Sequence, residues 1–532
     1  MAVRPSRNGK KRRIVVYDTT LRDGAQGSFV TFSVTDKVLI ARALDKIGVD
    51  YVEGGFPGSN PKEEEFFASL VESPLKRSRL AAFGATRRAG GTCEGDANLA
   101  ALARSGAPTW TLVGKSDTWQ VDRVLQTTLD ENLAMIRESV AFGVASGHEV
   151  VFDAEHFFDG FTRDRDYAME VCATAARAGA AWVVLCDTNG GSLPTMIRIG
   201  VEAVVGRLAA LGKGTGTGIH THNDCELAVA NSIEGIAAGA DMVQGTINGY
   251  GERCGNANLI SVVANVVLKL GLDAMPSGSV ARFTDLSRTV AEIANLALPA
   301  QQPFVGQGAF AHKGGQHVAA VLKDADAYQH IDPALVGNQQ RVLVSELSGR
   351  GSVLTKAREF GLEIDREDPE TRRIVQHLKE LEHRGYSYEA ADASFELLLR
   401  RLNPEYQPLW RVVDFTTLVR RHGAAVQAEA TVKIEVGPDV YHTAASGNGP
   451  VNALDAALRK ALMPRFPGLK GVRLLDYKVR ILDGAAGTAA TTRVLVESGK
   501  GAKRWATVGC SSNIIEASLE ALLDSLEYAA RA

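Results

Sequence analysis

The first half of this chain predicts a closed (β/α)8 barrel, and three observations carry that expectation. Strand and helix signals alternate eight times between Ile14 and about Leu270, the number of units and roughly the 250 residues that such a barrel needs. The strand segments are short, continuous apolar runs, as expected of strands buried on both faces. The polar residues with chemical use fall together just past the ends of these runs, where a barrel assembles its site. A doubly wound open sheet is the alternative, but no GxGxxG follows the first strand.

Taken in order, Ile14-Val15-Val16-Tyr17 is the first strand and ends in Asp18-Thr19-Thr20-Leu21-Arg22-Asp23-Gly24. Ser33 or Thr35 caps a helix on which Val34, Val38, Ala41 and Leu44 recur at helical spacing. Tyr51–Glu53 is the second strand, followed by a helix from Lys62 to Leu70. Leu80–Phe83, Trp110–Val113, Val150–Phe152, Trp182–Cys186, Gly218–His220 and Met242–Gly245 complete the eight, and the last barrel helix runs from Leu259 to about Leu270. Of the cysteines, Cys172 and Cys186 lie in apolar surroundings and read as small core residues.

Beyond the barrel, 291–402 reads as a helical lid or linker subdomain. It carries the Gly-rich segments Gln307–His317 and Ser348–Ser352 as hinges over the barrel mouth. The charged run Arg366–Lys379 reads as a solvated helix face. Residues 403–532 contain a weak internal repeat. Strands at Val412–Thr416, Ala430–Glu435 and Val440–Ala445 precede a helix to Leu462; strands at Tyr477–Leu482, Arg493–Val496 and Trp505–Val508 precede a helix from Ile514 to about Ala529. The expected architecture is therefore α/β: a barrel at 14–290, the lid, and an α+β domain of two βββα units after a disordered tail at 1–13. The start of each repeat helix is either an anion site made of loop N–H groups or ordinary capping.

Composition bounds the function. The 532 residues carry a formal charge of −3, which gives no footprint for nucleic acid or an anionic membrane. The cluster Lys10-Lys11-Arg12-Arg13 reads as solvated tail. No apolar run approaches a membrane span, and no signal-peptide pattern opens the chain. Six scattered cysteines without CxxC pairs fit a reducing cytoplasm.

The stretch His220-Thr221-His222-Asn223-Asp224 is the most informative. Two histidines two apart on a strand end share a face and can share one metal ion. A carboxylate is the usual third ligand, and Asp23 is the best candidate. Alone the pair is weak. It gains force because Arg22, Asp23, Glu53, Glu155, Thr188, His220, His222 and Asn256 all fall at the same rim of the expected barrel. The plainer readings are a rim salt bridge for Arg22 with Asp23, a helix-start acid for Glu155, and an exposed loop histidine for His317.

Asp18–Gly24, His220–Asp224 and Gly251-Glu252-Arg253-Cys254-Gly255-Asn256 together resemble the isopropylmalate synthase, homocitrate synthase and citramalate synthase family. These are metal-dependent TIM-barrel enzymes that condense acetyl-CoA with an α-keto acid. Nearly the whole chain is covered, the duplicated unit resembling the family's amino-acid-binding regulatory domain. The segment Asp153–Gly160 looks most like the citramalate synthase branch. By resemblance, Asp23, His220 and His222 are metal ligands, with Asn256 in or near the shell. Arg22 contacts the keto oxygen or enolate, and Thr188 holds the keto-acid carboxylate. Glu155 and His317 form the acid–base pair, with Tyr328 nearby. Three departures stand out: Ala25 where a glutamate is usual, Ala319 where an aspartate is frequent, and Asp153 where some citramalate synthases have an aromatic residue.

Such a condensation needs a polarised keto acid, a base for the acetyl methyl and a cation for the developing oxyanion. Mixed N/O ligation admits zinc, manganese or magnesium. Arg22 suits the charge, and Glu53 and Glu252 read as orienters of Arg22 or the ligands. The resemblance implies pyruvate and acetyl-CoA as substrates, a homodimer, and feedback by isoleucine or leucine. Isopropylmalate or homocitrate synthesis, an acyl-CoA lyase, and an amino-acid sensor without catalysis are the alternatives.

Overall fold

The computed structural model of the protein describes residues 11–343, 350–362, 369–403, 405–422, 425–501 and 503–531. Eight parallel strands close into a barrel in chain order: β1 (Val15–Asp18), β2 (Tyr51–Gly55), β3 (Arg79–Ala85), β4 (Thr109–Lys115), β5 (Glu149–Glu155), β6 (Trp182–Asp187), β7 (Gly216–Thr221) and β8 (Met242–Gly245). Closure is the β1–β8 ladder, from Val15 opposite Met242 to Asp18 opposite Gly245. It leaves no free edge on the sheet. Every expected strand is present, six of them one to four residues longer than expected.

Two apolar layers hold the barrel. Tyr17, Tyr51, Ala81, Val151, Val184 and Met242 fill its interior. The outward faces, with Val16, Val52, Leu112, Phe152 and Ile219 among them, bury against the surrounding helices. The helices start where short polar residues precede apolar periodicity. Ser33 makes a capping box with Asp36, accepting the Asp36 N–H at 3.2 Å while Asp36 accepts that of Ser33 at 2.8 Å. Asn60, Asp96, Thr128 and Asp164 cap four more. One buried ion pair, Lys37 Nζ to Glu63 Oε2 at 2.6 Å, ties the helices after β1 and β2 together (Val34–Ile47 and Pro61–Glu72).

The basic cluster is not wholly a solvated tail. Residues 1–10 lie outside the described residues, but Arg12 is docked on the barrel. Its guanidinium donates to Asp241 at 2.7 Å, to the Ile236 carbonyl at 2.7 Å and to the Ala240 carbonyl at 2.6 Å. Arg13 pairs with Asp50 at 2.6 Å. A guanidinium fork satisfies the carbonyls that end a helix, which a composition argument does not reveal.

The chain separates into two compact units, Met1–Phe310 with Ile331–Gln339, and Ala311–His330 with Gln340–Ala532. Within the second, a short parallel pair, Ala311–His312 with Arg341–Val342, was not expected in a helical segment. Helices at Gly315–Val321, Arg350–Glu359, Pro369–His383 and Asp392–Arg401 follow. The hinge at Ser348–Ser352 and the run from Arg366 fall partly outside the described residues; in the rest of that run, Ile374 and Leu378 are buried.

The duplicated unit is as expected. Strands Arg411–His422, Ala425–Val436 and Asp439–Gly447 precede helix Pro450–Leu462; strands Arg473–Ile481, Thr492–Lys500 and Lys503–Ser511 precede helix Ile514–Arg531. Each first strand carries a register shift at the same place, Val412/Asp414 and Leu474/Asp476, which is what duplication of one unit leaves behind. The start of helix Ile514–Arg531 is capped by the chain itself. Ser511 Oγ accepts the Asn513 N–H at 3.0 Å and Asn513 Oδ1 the Ile515 N–H at 2.9 Å, which favours capping over an anion site there. Among the described residues no helix is long and apolar enough to cross a membrane.

Helix Phe157–Arg163, just past the end of β5, presses Gly160 on the loop after β4, where an added Cβ would sit 2.2 Å from the Ser116 carbonyl oxygen. Backbone cannot yield as a side chain can. Gly160→Ala is expected to lower stability by about 1–3 kcal/mol or more, read as a fall in the melting temperature of the full chain by circular dichroism.

Candidate active site and metal centre

The barrel mouth assembles the residues that the sequence singled out. His220 lies in β7 and His222 one residue past its end, so both imidazoles face the same side. Asp23 arrives from the turn after β1. The Asp18 carboxylate winds that turn by accepting the Thr20 N–H and hydroxyl, each at 2.9 Å, and the Asp23 N–H donates to the Thr19 carbonyl at 2.9 Å. Asp23 Oδ2 lies 3.2 Å from His220 Nε2 and 3.8 Å from His222 Nε2, and the two Nε2 atoms are 3.2 Å apart.

That triangle fits a divalent cation. Bonds of about 2.0–2.2 Å to N and O ligands place neighbouring donors on one ion roughly 3–3.5 Å apart. One carboxylate and two imidazoles leave further positions for a chelating substrate. Asn256 is at hand: its Nδ2 donates to Asp23 Oδ2 at 2.8 Å and lies 3.2 Å from His220 Nε2, while its Oδ1 is buried without a partner among the described residues. Turned over, the amide would present that orphaned oxygen to a cation. The glycines around it are sterically required. A Cβ at Gly251 would meet Asn256 Oδ1 at 1.9 Å, and one at Gly255 would meet the Gly249 carbonyl at 2.0 Å.

Charge is arranged around this set. Burial opposes ionisation of Asp23, yet Arg22 and the His220 hydrogen bond hold its carboxyl well below the usual range. Burial and neighbouring His220 push His222 down to about 4, so at pH 7 it is neutral, the form of imidazole that can bind a metal. Arg22 donates through Nε to Glu53 Oε2 at 2.6 Å, sits 3.5 Å from Asp23 Oδ1 and stacks 4.0 Å over the Phe83 ring. Glu53 is fully buried and also accepts the Tyr17 hydroxyl at 2.9 Å, so it orients Arg22 as expected. Glu252 does not: it is more than half exposed and its ion-pair partner is Arg253, at 3.8 Å.

A cavity of about 700 Å³ is lined by Arg22, Asp23, Asp153, Glu155, Thr188, His220 and His222. Glu155 ends β5 and pairs with Lys115, at the end of β4; it is a strand-end carboxylate rather than a helix-start acid. Thr188 Oγ1 accepts the His156 N–H at 2.8 Å, which leaves its own hydroxyl hydrogen to donate. His156 holds that position with a left-handed backbone, φ 58°. Arg253, also left-handed at φ 54°, clamps the rim, donating to Asp224 at 2.7 and 2.9 Å and to the Thr188 carbonyl at 2.8 Å.

His317 and Tyr328 belong to the second unit. His317 is in helix Gly315–Val321 rather than in a Gly-rich loop, because Gly314 and Gly315 begin that helix. Its ring stacks on Tyr328 with centroids 4.1 Å apart. The residues to which sequence reasoning gave no role are Lys115, Asp153, His156, Gln244 and Arg253. A signal existed for three of them: Lys115, Asp153 and Gln244 are polar residues in otherwise apolar strand runs, and such a position in a closed barrel is either costly or used.

Comparison with known proteins agrees with this geometry. Residues 13–291 match the HMGL-like family model, 304–386 the homocitrate synthase post-HMGL domain-like model, and 389–530 the LeuA allosteric (dimerisation) domain. The chain is 49% identical to an (R)-citramalate synthase of Synechocystis sp. over 98% of its own length and 97% of the relative's. It is 48% identical to an (R)-citramalate synthase of Aquifex aeolicus over 97% of each chain. A probable 2-isopropylmalate synthase of Methanopyrus kandleri shares 31% over 98% of this chain and 99% of the relative.

Replacing a ligand should empty the centre. Asp23→Ala is expected to reduce the divalent metal retained after dialysis at least about tenfold, by elemental analysis, whereas Thr188→Val should retain it. Equal metal in the two variants would count against the Asp23–His220–His222 set.

Proposed function

This chain belongs to the HMGL-like family, in its (R)-citramalate synthase branch, and from that premise we propose a Claisen-type condensation. The acetyl group of acetyl-CoA joins the keto carbon of pyruvate, and water then cleaves the thioester to give citramalate and CoA. The observation that carries the reading is one cavity holding the Asp23–His220–His222 donor triangle together with Arg22 and Thr188.

Each residue has a role that its contacts permit. A divalent ion held by Asp23, His220 and His222, with Asn256 beside them, would supply Lewis acidity toward the keto acid, and the mixed N/O donor set admits manganese, magnesium or zinc. The Thr188 hydroxyl donates to the keto-acid carboxylate. Arg22, fixed by Glu53 and Phe83, keeps N–H donors for the oxygen that gains charge as the carbon–carbon bond forms. Glu155 supplies the carboxylate for moving the acetyl methyl proton, with Lys115 fixing its orientation. By resemblance His317 is assigned to proton transfer as well, with Tyr328 near it, and either Glu155 or His317 is the base.

The proposal extends to organisation. The barrel at 14–290 is catalytic, 291–402 is the linker, and 403–532 binds isoleucine or leucine as a feedback effector and forms part of a homodimer interface. Support comes from the duplicated unit and its match to an allosteric dimerisation domain. A cytoplasmic place of action belongs to the same reading.

The test is free-thiol release from acetyl-CoA with pyruvate, glyoxylate, 2-ketobutyrate or 2-ketoisovalerate. Release is expected with pyruvate; release with 2-ketoisovalerate and none with pyruvate would move the chain to isopropylmalate synthesis. Arg22→Lys should lower kcat about 10²–10³-fold with metal content unchanged. His317→Ala is expected to keep its metal and lose turnover, and a near-native rate would remove His317 from the mechanism.

A further inference from the structure

Three buried side chains run in a row across the barrel interior to His220, a ligand in the metal reading above. Asp153 on β5, Gln244 on β8 and His220 on β7 are 3%, 0% and 4% exposed. Gln244 is the register neighbour of His220 in the β7–β8 ladder, and Asp153 reaches it across the barrel interior. Gln244 Nε2 donates to Asp153 Oδ1 at 3.0 Å, and Gln244 Oε1 lies 2.8 Å from His220 Nδ1. Gln244 is the hydrogen-bond partner of Asp153 among the described residues.

An amide has one donating end and one accepting end, and the end facing an imidazole decides which ring nitrogen carries the proton. At pH 8, above the value near 7 to which burial raises Asp153, the ionised carboxylate only accepts, so it takes the NH2 end of Gln244 and turns the oxygen toward His220. His220 Nδ1 then carries the hydrogen, and Nε2 keeps its lone pair on the side of Asp23 Oδ2, 3.2 Å away. We propose that Asp153 is a positioning residue which, through Gln244, fixes the tautomer of His220 and so strengthens binding of the divalent cation. The proposal rests on the metal reading above.

The position is hard to explain as packing. Asp153 shares the barrel interior with buried Glu53, and a carboxylate there costs desolvation that an apolar residue would not. A role as substrate contact alone would not show in metal binding without substrate, which separates the two.

The experiment measures affinity of the purified full-length chain for Mn²⁺ at pH 8, without substrates, by competition with a chelating dye. In Asp153→Asn two amides face each other. The new NH2 group can take Gln244 Oε1, Gln244 can donate to Nδ1, and the imidazole proton moves to Nε2. Affinity is expected to fall about 10–100-fold. Combining Asp153→Asn with Gln244→Glu restores the donor–acceptor order in reverse chemistry and should recover most of the loss. Asp153→Asn binding as tightly as wild type, or a double variant no better than the single, overturns the proposal. If the variants do not fold, ¹⁵N imidazole shifts of the metal-free wild type decide it: the Nδ1–H form of His220 supports the proposal and the Nε2–H form overturns it. A wild-type chain that binds no divalent ion removes the metal reading itself, while the same spectrum still reports whether Asp153 orders the tautomer.

Discussion

The ladder between β1 and β8 is the constraint on which the site depends. It joins the first strand of the barrel to the last, and so sets the turn after β1 beside the loop after β8. Asn256 reaches Asp23 across 233 residues of chain, and the imidazoles on β7 stand next to both. Without closure these are three unrelated polar segments. With it, their donors converge to 3.2–3.8 Å. Closure thus holds His220 on a strand and Asp23, His222 and Asn256 on segments that leave neighbouring strand ends.

The same mouth concentrates charge that a packed core would avoid. Arg22 is surrounded by Glu53, Asp23 and Asp153, and these outweigh burial in keeping it cationic. Asp153 shows the opposite balance: burial and then Glu53 push it up to about 7. Single removals from such a set leave an uncompensated buried partner, so replacements here act on charge balance as well as chemistry. Sites that break the ordinary rules of burial are the ones a fold keeps for use.

How much of this was legible in the sequence follows from the range of each interaction. Strands and caps are local: Val–Ile runs, and Ser33 three residues before Asp36, announce themselves within one turn of chain. The repeat was legible because its period recurs, down to the shared register shift. The candidate ligands were legible because H-x-H is a strand-end pattern and Asp23 ends the first strand's turn. What failed was partner choice. Arg12 finds the carbonyls of 236 and 240, Lys115 finds Glu155, and Gln244 finds Asp153, each through strand order and tilt that no local pattern encodes. Glu252 was misjudged for the same reason: proximity in a motif did not predict which way its side chain turned.

The departures from the family pattern can now be weighed against that charge arrangement. Ala25 replaces a usual glutamate, yet it follows directly on the turn that places Asp23 and packs against the barrel core. Arg22 already has a fully buried carboxylate bonded to Nε, that of Glu53, with Asp23 at 3.5 Å. A further acid at position 25 would add like charge to a crowded set and raise the cost of keeping each carboxylate ionised. Asp153, standing where an aromatic is found in other members, supplies one more negative group from the opposite wall. Loss of a carboxylate at 25 and presence of one at 153 therefore act in opposite directions on Arg22 and offset each other. In that account the chain has redistributed the negative charge around its guanidinium rather than lost it, which is why an absent family glutamate does not by itself argue for a silent barrel.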